Sequence, residues 1–401
     1  MMERPGNFRI DKTCAVSKAR TGELITPHGV VPTPVFSPVA SQATVRTLTP
    51  DEVENIGITM VLANTYHLYL RPGIPVIEKT GGLHKFMAWN GAILTDSGGY
   101  QVFSLAPLRQ LTDEGVVFRS HINGSQHLIT PELAIQYQEA LGADIIMVLD
   151  ECPASTDSYE KVKKAVERTN HWAERCQKVQ RRADQYLYAI IQGGVFPDLR
   201  RASVEHLVSL NFPGYAIGGL SLGESKQLTL QIVQETAALL PENKPRYLMG
   251  IGSPEDIVEG VGGGIDIFDS ALPTRVARNG AFFTRSGRIN IRNAAYSQME
   301  YPVEAECSCY TCQTFSAAYL HHLFSARELL GYKLATIHNL TFISQLMSQI
   351  RVAIQDGSFS SFKDDFLANY RPTNEQTRLE QKQRGLQSRN LNQFGDNQVI
   401  T

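Results

Sequence analysis

Short apolar runs, most of them closed by a glycine or a polar residue and the first of them the weakest, recur along most of the chain. They are Pro34–Val39, Met60–Ala63, Ala92–Leu94, Ile145–Leu149, Leu187–Ile191, Tyr215–Ile217, Tyr247–Met249 and Ile265–Phe268. Compact runs of this kind, without alternation, predict strands buried on both faces, as in a parallel sheet. The stretches between them carry helix start signals. Thr130-Pro131-Glu132 sets a capping hydroxyl, a first-turn proline and an acid before an apolar-periodic run, and Thr49-Pro50-Asp51-Glu52 and Ser253-Pro254-Glu255-Asp256 repeat the pattern. Ser158–Gln180 is charged on one face and apolar at Val162, Ala165, Val166, Thr169 and Trp172, which predicts a long amphipathic helix.

Alternating strands and helices imply parallel pairing through right-handed crossovers. Eight such strands are the count of a closed (β/α)₈ TIM barrel, which typically takes about 250 residues. An open doubly wound sheet is the alternative, but no glycine-rich fingerprint follows the first strand; Gly262-Gly263-Gly264 precedes a strand instead. Asn123-Gly124, between Val116–Ser120 and Gln126–Ile129, signals a hairpin inserted after the third strand, over the expected mouth of the barrel. Beyond Arg292 the pattern changes to a cysteine cluster, helical segments near Phe315–Leu330 and His338–Gln355, and a polar stretch. The expected organisation is therefore a barrel over 1–292, a zinc-binding helical subdomain over 293–370, and a polar tail over 371–401 too poor in apolar residues to order itself.

Composition narrows the function more than the fold. The chain of 401 residues is 42% apolar and 19% charged, an ordinary globular balance, and its net charge of −2 excludes bulk polycation binding to nucleic acid. No apolar run is long enough to span a bilayer, and MMERPGNFRIDK lacks the apolar core of a signal peptide, so a soluble cytoplasmic protein is expected. Of six cysteines, Cys307, Cys309 and Cys312 crowd together too closely for an ordinary disulfide framework. Three thiolates and one imidazole would make a closed, structural zinc site, with His321, His322 and His338 as candidates for the fourth ligand.

In a barrel, the residues at the C-terminal ends of strands converge on one pocket. Here these are Asn64, Asp96, Ser97, Asp150, Glu151, Gln192, Gly219 and Asp269. Three aspartates in one mouth suggest a nucleophile, a general acid/base and a group reading a substrate NH edge, since burying like charges together calls for a compensating ligand. Asp269 stands out. No other acid follows it until Glu300, while Arg275, Arg278, Arg285, Arg288 and Arg292 fall in that gap, with Arg275 and Arg278 expected on an irregular segment after Pro273. Asp269 either faces an anionic substrate or pairs with Arg275. A local basic patch on a near-neutral chain suits a looped nucleic acid or a phosphorylated small molecule, and Tyr100 is placed to offer a stacking face.

The motifs TDSGGYQVFSL (Thr95–Leu105), VLDEC (Val148–Cys152), IIQGG (Ile190–Gly194), AIGGLSLGE (Ala216–Glu224), YLMGIG (Tyr247–Gly252), FDSALPTRVARNG (Phe268–Gly280) and CSCYTC with a later HN at His338 resemble those of the tRNA-guanine transglycosylases, bacterial type. The resemblance extends to about Tyr370. It implies a TIM barrel with a zinc subdomain that replaces a guanine in tRNA by a deazaguanine. It assigns Asp269 as the nucleophile that forms a covalent tRNA intermediate and Asp96 as the general acid/base. Asp150, Gln192, Gly219 and Leu220 would read the base, Tyr100 and Met249 would sandwich it, and Cys152 would sit in the same pocket. Arg275 and Arg278 would meet the anticodon loop, and Cys307, Cys309, Cys312 and His338 would hold one structural Zn²⁺ per chain.

The bacterial branch implies 7-aminomethyl-7-deazaguanine as the base and the wobble position of G-U-N tRNAs as the target, in queuosine synthesis, by a homodimer. Leu222 stands where queuine-using members have glycine, and Cys152 also matches the bacterial side; Ser270 departs from the cysteine of some members. A queuine-using enzyme and a non-catalytic RNA-binding partner subunit are the alternatives, the latter disfavoured by the presence of both Asp96 and Asp269. A metal-dependent barrel hydrolase would need a histidine pair at the first strand's end, where Val39-Ala40-Ser41 offers none.

Overall fold

The computed structural model describes residues 8–105 and 109–374. The chain opens with an antiparallel sheet that the apolar pattern did not announce: β1 (Phe8–Thr13), β2 (Arg20–Thr26) and β3 (Gly29–Thr33). Only part of β2 and β3 is buried and β1 is largely exposed, so no continuous apolar run marks this sheet. It is anchored by Arg20, whose guanidinium donates to both oxygens of buried Asp266 at 2.9 and 2.6 Å.

The barrel follows as β4 (Val35–Ala40), β5 (Met60–Asn64) and β6 (Ala92–Asp96). An inserted sheet of β7 (Arg109–Leu111), β8 (Val116–Arg119) and β9 (Gln126–Ile129) comes next. The barrel then resumes with β10 (Ile145–Met147), β11 (Tyr186–Ile191), β12 (Gly214–Ile217), β13 (Arg246–Leu248) and β14 (Ile267–Ser270). The eight barrel strands pair in parallel in chain order, and β14 closes on β4 with Asp269 opposite Ser37. Every apolar run expected to be a barrel strand is one. The last begins later than expected, at Ile267, because Asp266 is engaged by Arg20 and by the backbone N–H of Arg246. The insertion has the expected hairpin around Gly124, at φ +73°, and a third strand besides.

Helices start at all three sequence signals, and the capping hydroxyl bonds a backbone N–H at two of them. Thr49 forms a full capping box with Glu52, and the Thr130 hydroxyl accepts from Leu133 N–H. The Ser253 hydroxyl instead turns to Asp256 and caps no N–H. Arg275 and Arg278 were expected on an irregular segment and lie on the helix Leu272–Arg278, because Pro273 near its start sets a helical φ rather than breaking the chain.

After β15 (Ala281–Thr284) and β16 (Gly287–Asn290), a second, smaller core joins Ala277, Phe282 and Ile291 to Leu320, Phe324 and Leu334. The second C-terminal helix runs Leu329–Gln355, beginning well before the expected His338, and Gly331 in its first turn packs against Leu323. A further helix, Phe359–Asn369, follows. Of the tail expected to be disordered, 375–401 lies outside the described residues. Among the described residues no helix is long and apolar enough to cross a membrane.

Candidate active site

Parallel closure brings the strand ends to one mouth, and register does the finer placement. Asn64 and Asp96 are opposite each other on β5 and β6. Asn64 Nδ2 accordingly donates to Asp96 Oδ2 at 2.5 Å, Thr65 N–H donates to Oδ1 at 3.0 Å, and Asn64 Oδ1 caps the next helix through His67 N–H at 3.0 Å. Burial, with the charges of Asp269 and Asp150 nearby, pushes the Asp96 carboxyl up to about 7, against which the Thr65 N–H pulls down. A carboxyl poised there can both give and take a proton at neutral pH.

Asp150 follows β10. Its Oδ2 accepts from Gln192 Nε2 at 2.8 Å and its Oδ1 from the Ser97 hydroxyl at 3.5 Å; burial raises it to about 6. Among the described residues the Gln192 carbonyl Oε1 is buried without a hydrogen-bond donor, packed against Gly219. Two glycines allow this approach. A Cβ on Gly99 would stand 2.8 Å from Asp150 Oδ1, and one on Gly219, at φ +69°, would stand 2.3 Å from Gln192 Oε1. Leu220, beside it, is buried. The next turn is held by Glu224, whose carboxylate accepts the backbone N–H groups of Ser221, Leu222 (3.0 Å) and Gly223 (3.1 Å).

Asp269 lies near the end of β14. Tyr247 OH donates to its Oδ1 at 2.6 Å and Gly250 N–H donates to the same oxygen at 2.7 Å. Among the described residues Oδ2 accepts no hydrogen bond, which leaves one carboxylate oxygen for a substrate. Burial raises the Asp269 carboxyl, and these two donors oppose the rise. The pairing with Arg275 that the sequence left open is thus replaced by a phenol and a backbone amide. The sequence reading missed Tyr247. Its signal was the two-residue spacing from Met249, which puts both on one face of the strand.

The remaining candidates line the same end. Tyr100 opens the helix Gly99–Leu105 and is 43% exposed, while Met249 and Cys152 are half-buried. Its enclosed surroundings and Asp150 push the Cys152 thiol up, so it stays protonated. Arg275 is exposed; Arg278 is half-buried and donates to the Thr274 carbonyl at 2.8 Å. Burial and the neighbouring charges of Arg46 and Arg275 lower the Arg278 guanidinium, as expected of a cation cluster that gains from an anion. Glu151, next to Asp150, pairs with Arg168, which also reaches Asp113 at 3.3 Å and so ties the insertion to the site.

A family model described as queuine tRNA-ribosyltransferase matches residues 14–372. The chain belongs to the queuine tRNA-ribosyltransferase family. A queuine tRNA-ribosyltransferase of Dehalococcoides mccartyi is 60% identical over 384 residues, covering 96% of this chain and 98% of its own length. Proteins of the same name from Pelotomaculum thermopropionicum and Halothermothrix orenii are 57% and 55% identical, each over 88% of this chain and 95% of their own. The chain is accordingly a tRNA-guanine transglycosylase of the bacterial type, a transferase rather than a non-catalytic subunit.

The expected metal cluster lies in the C-terminal part, beside β15 and the long helix. Cys307, Cys309 and Cys312 place Sγ at 3.7, 3.5 and 3.3 Å from His338 Nδ1, and all four are buried. His338 Nε2 donates to the Phe283 carbonyl on β15 at 2.6 Å, which orients the ring with Nδ1 facing the sulfurs. That donor set fits a tetrahedral ion with no open position. Of the other candidates for the fourth ligand, His321 instead bonds the Ile291 carbonyl at 2.8 Å.

Proposed function

We propose that the enzyme exchanges guanine at the wobble position of G-U-N tRNAs for 7-aminomethyl-7-deazaguanine, through a covalent link between Asp269 and the RNA. Asp269 Oδ2 attacks the ribose anomeric carbon, the glycosidic bond breaks, and the departing guanine takes a proton from Asp96. The incoming base then returns a proton to Asp96 and displaces the carboxylate, so two inversions give net retention. The observation that carries this reading is the contrast between two buried carboxylates. Asp269 has both donors on one oxygen and its other oxygen open, while Asp96 is raised into the range of a neutral-pH acid/base.

Asp150 and Gln192, with the backbone at Gly219 and Leu220, would read the base edge, and the unpaired Gln192 Oε1 supports that role. Tyr100 and Met249 would stack on the heterocycle, Cys152 would line the pocket as a neutral thiol, and Arg275 and Arg278 would hold the anticodon loop. Cys307, Cys309, Cys312 and His338 would hold Zn²⁺, which supplies a fixed structural node between β15 and the long helix. The zinc subdomain and a homodimer, both implied by the motif resemblance, complete the proposal. Leu222 favours the aminomethyl base over queuine. A base-competition assay on one anticodon stem-loop, with guanine, 7-aminomethyl-7-deazaguanine and queuine, tests the substrate. Preference for the aminomethyl base is expected, and efficient queuine incorporation would favour the alternative.

A further inference from the structure

Opposite the catalytic mouth, three side chains from separate elements converge at the closed end of the barrel. His28 lies in the turn between β2 and β3, His84 on the helix Leu83–Met87, and Asp144 directly before β10. His28 Nδ1 stands 2.7 Å from Asp144 Oδ1, and His84 Nε2 stands 3.3 Å from Oδ2. The imidazoles stack, with centroids 3.4 Å apart and planes 14° apart. One nitrogen from each ring and one carboxylate oxygen fall within 4.8 Å of one another, and the Gly91 carbonyl lies 3.1 Å from His84 Nε2.

We propose that His28, His84 and Asp144 form a second metal site, which takes a divalent transition metal of the zinc class. Two imidazoles and a carboxylate are the donor set such ions prefer, whereas magnesium and calcium favour oxygen alone. Donors that share an ion at bond lengths of about 2.0–2.2 Å lie roughly 3–4 Å apart; here each ring nitrogen stands 2.7 or 3.3 Å from one Asp144 oxygen, and one atom from each residue lies within 4.8 Å of the others. Charge favours the same occupant. The Asp144 side chain has no exposed surface, and among the described residues no lysine or arginine nitrogen lies within ion-pairing distance of it. The rings must turn for their lone pairs to meet; His28, 37% exposed in a hairpin turn, has room to do so. The bound ion would tie the N-terminal sheet to the barrel floor and leave the chemistry at Asp269 untouched.

The test uses untagged full-length protein, equilibrated with micromolar Zn²⁺ and dialysed, with metal content measured per chain. Wild type should hold one zinc more than His28→Ala, whatever the cysteine cluster retains, and added Zn²⁺ should raise the melting temperature of wild type alone. His84→Gln should behave as His28→Ala, and both variants should keep wild-type circular dichroism and transferase activity. Equal metal content in wild type and the folded variants would overturn the proposal and leave a histidine–aspartate latch held by protons. So would a second zinc that survives both substitutions.

Discussion

Asp269 and Tyr247 meet because alternate residues of β13 point into the barrel, and the neighbouring strand β14 ends beside them. A hydrogen bond to a charged acceptor is worth about 1.5–3 kcal/mol. Tyr247→Phe should therefore lower kcat by roughly 10- to 100-fold. It removes a donor that stabilises the carboxylate, so the acidic limb of the pH profile should move to higher pH, with KM for RNA little changed. An unchanged acidic limb would show that Tyr247 serves packing only. Asp150 makes the converse case, in which function costs stability. Its folded carboxyl is raised to about 6, so the native state holds a proton that the unfolded chain has released. Stability is lost as pH rises through that interval and does not recover above it. Asp150→Asn should hence be more stable than wild type at pH 8, by about 1–3 kcal/mol, with the gain vanishing near pH 4. Asparagine can also donate to the vacant Gln192 Oε1. Denaturant melts at the two pH values check this, and base affinity should fall in the same variant. The three aspartates were legible in the sequence because each closes an apolar run. Their hydrogen-bond partners were not, because register across the barrel, which chain spacing does not reveal, supplies Asn64 to Asp96 and Tyr247 to Asp269.

Elements show the same division. The eight barrel strands could be read because burial on both faces leaves uninterrupted apolar runs. The sheet β1–β3 could not, since its edge strand β1 is largely exposed and its buried apolar residues, Leu24 and Val31, stand singly rather than in a run, with the Arg20–Asp266 pair as a further anchor. The long helix starts nine residues before the expected His338, and Gly331 in its first turn packs closely on Leu323. His338 sits inside this helix, with one ring nitrogen on β15 and the other facing three sulfurs, so the proposed zinc couples two elements that the chain separates. Structural zinc contributes about 10–16 kcal/mol in small zinc domains. Stripping it with a strong chelator should lower the melting temperature by more than about 10 °C and reduce helix content. Unchanged melting after proven zinc loss would remove the structural role.

At the scale of the whole molecule, a chain of net charge −2 must bind a polyanion through a local surface. The helix Leu272–Arg278 provides one directly after the proposed nucleophile, so in the proposed reaction the strand end carrying Asp269 would also orient the RNA loop. Part of the acid-free segment is already spent within the fold: Arg285 pairs with Glu306, and Arg292 covers Phe324. Arg275 and Arg278 lie on the helix that follows Asp269. Replacing both with alanine should raise KM for the stem-loop, leave kcat within about threefold, and reduce the salt slope of binding by about 1–2. A fall in kcat at unchanged KM and salt slope would place them in the chemistry instead. All of this rests on Asp269 as nucleophile. The most direct measurement is denaturing-gel detection of the protein–RNA adduct, with wild type and a folded Asp269→Asn variant on the same anticodon stem-loop. The account predicts an adduct with wild type and none with Asp269→Asn; adduct at undiminished yield in that variant would contradict it.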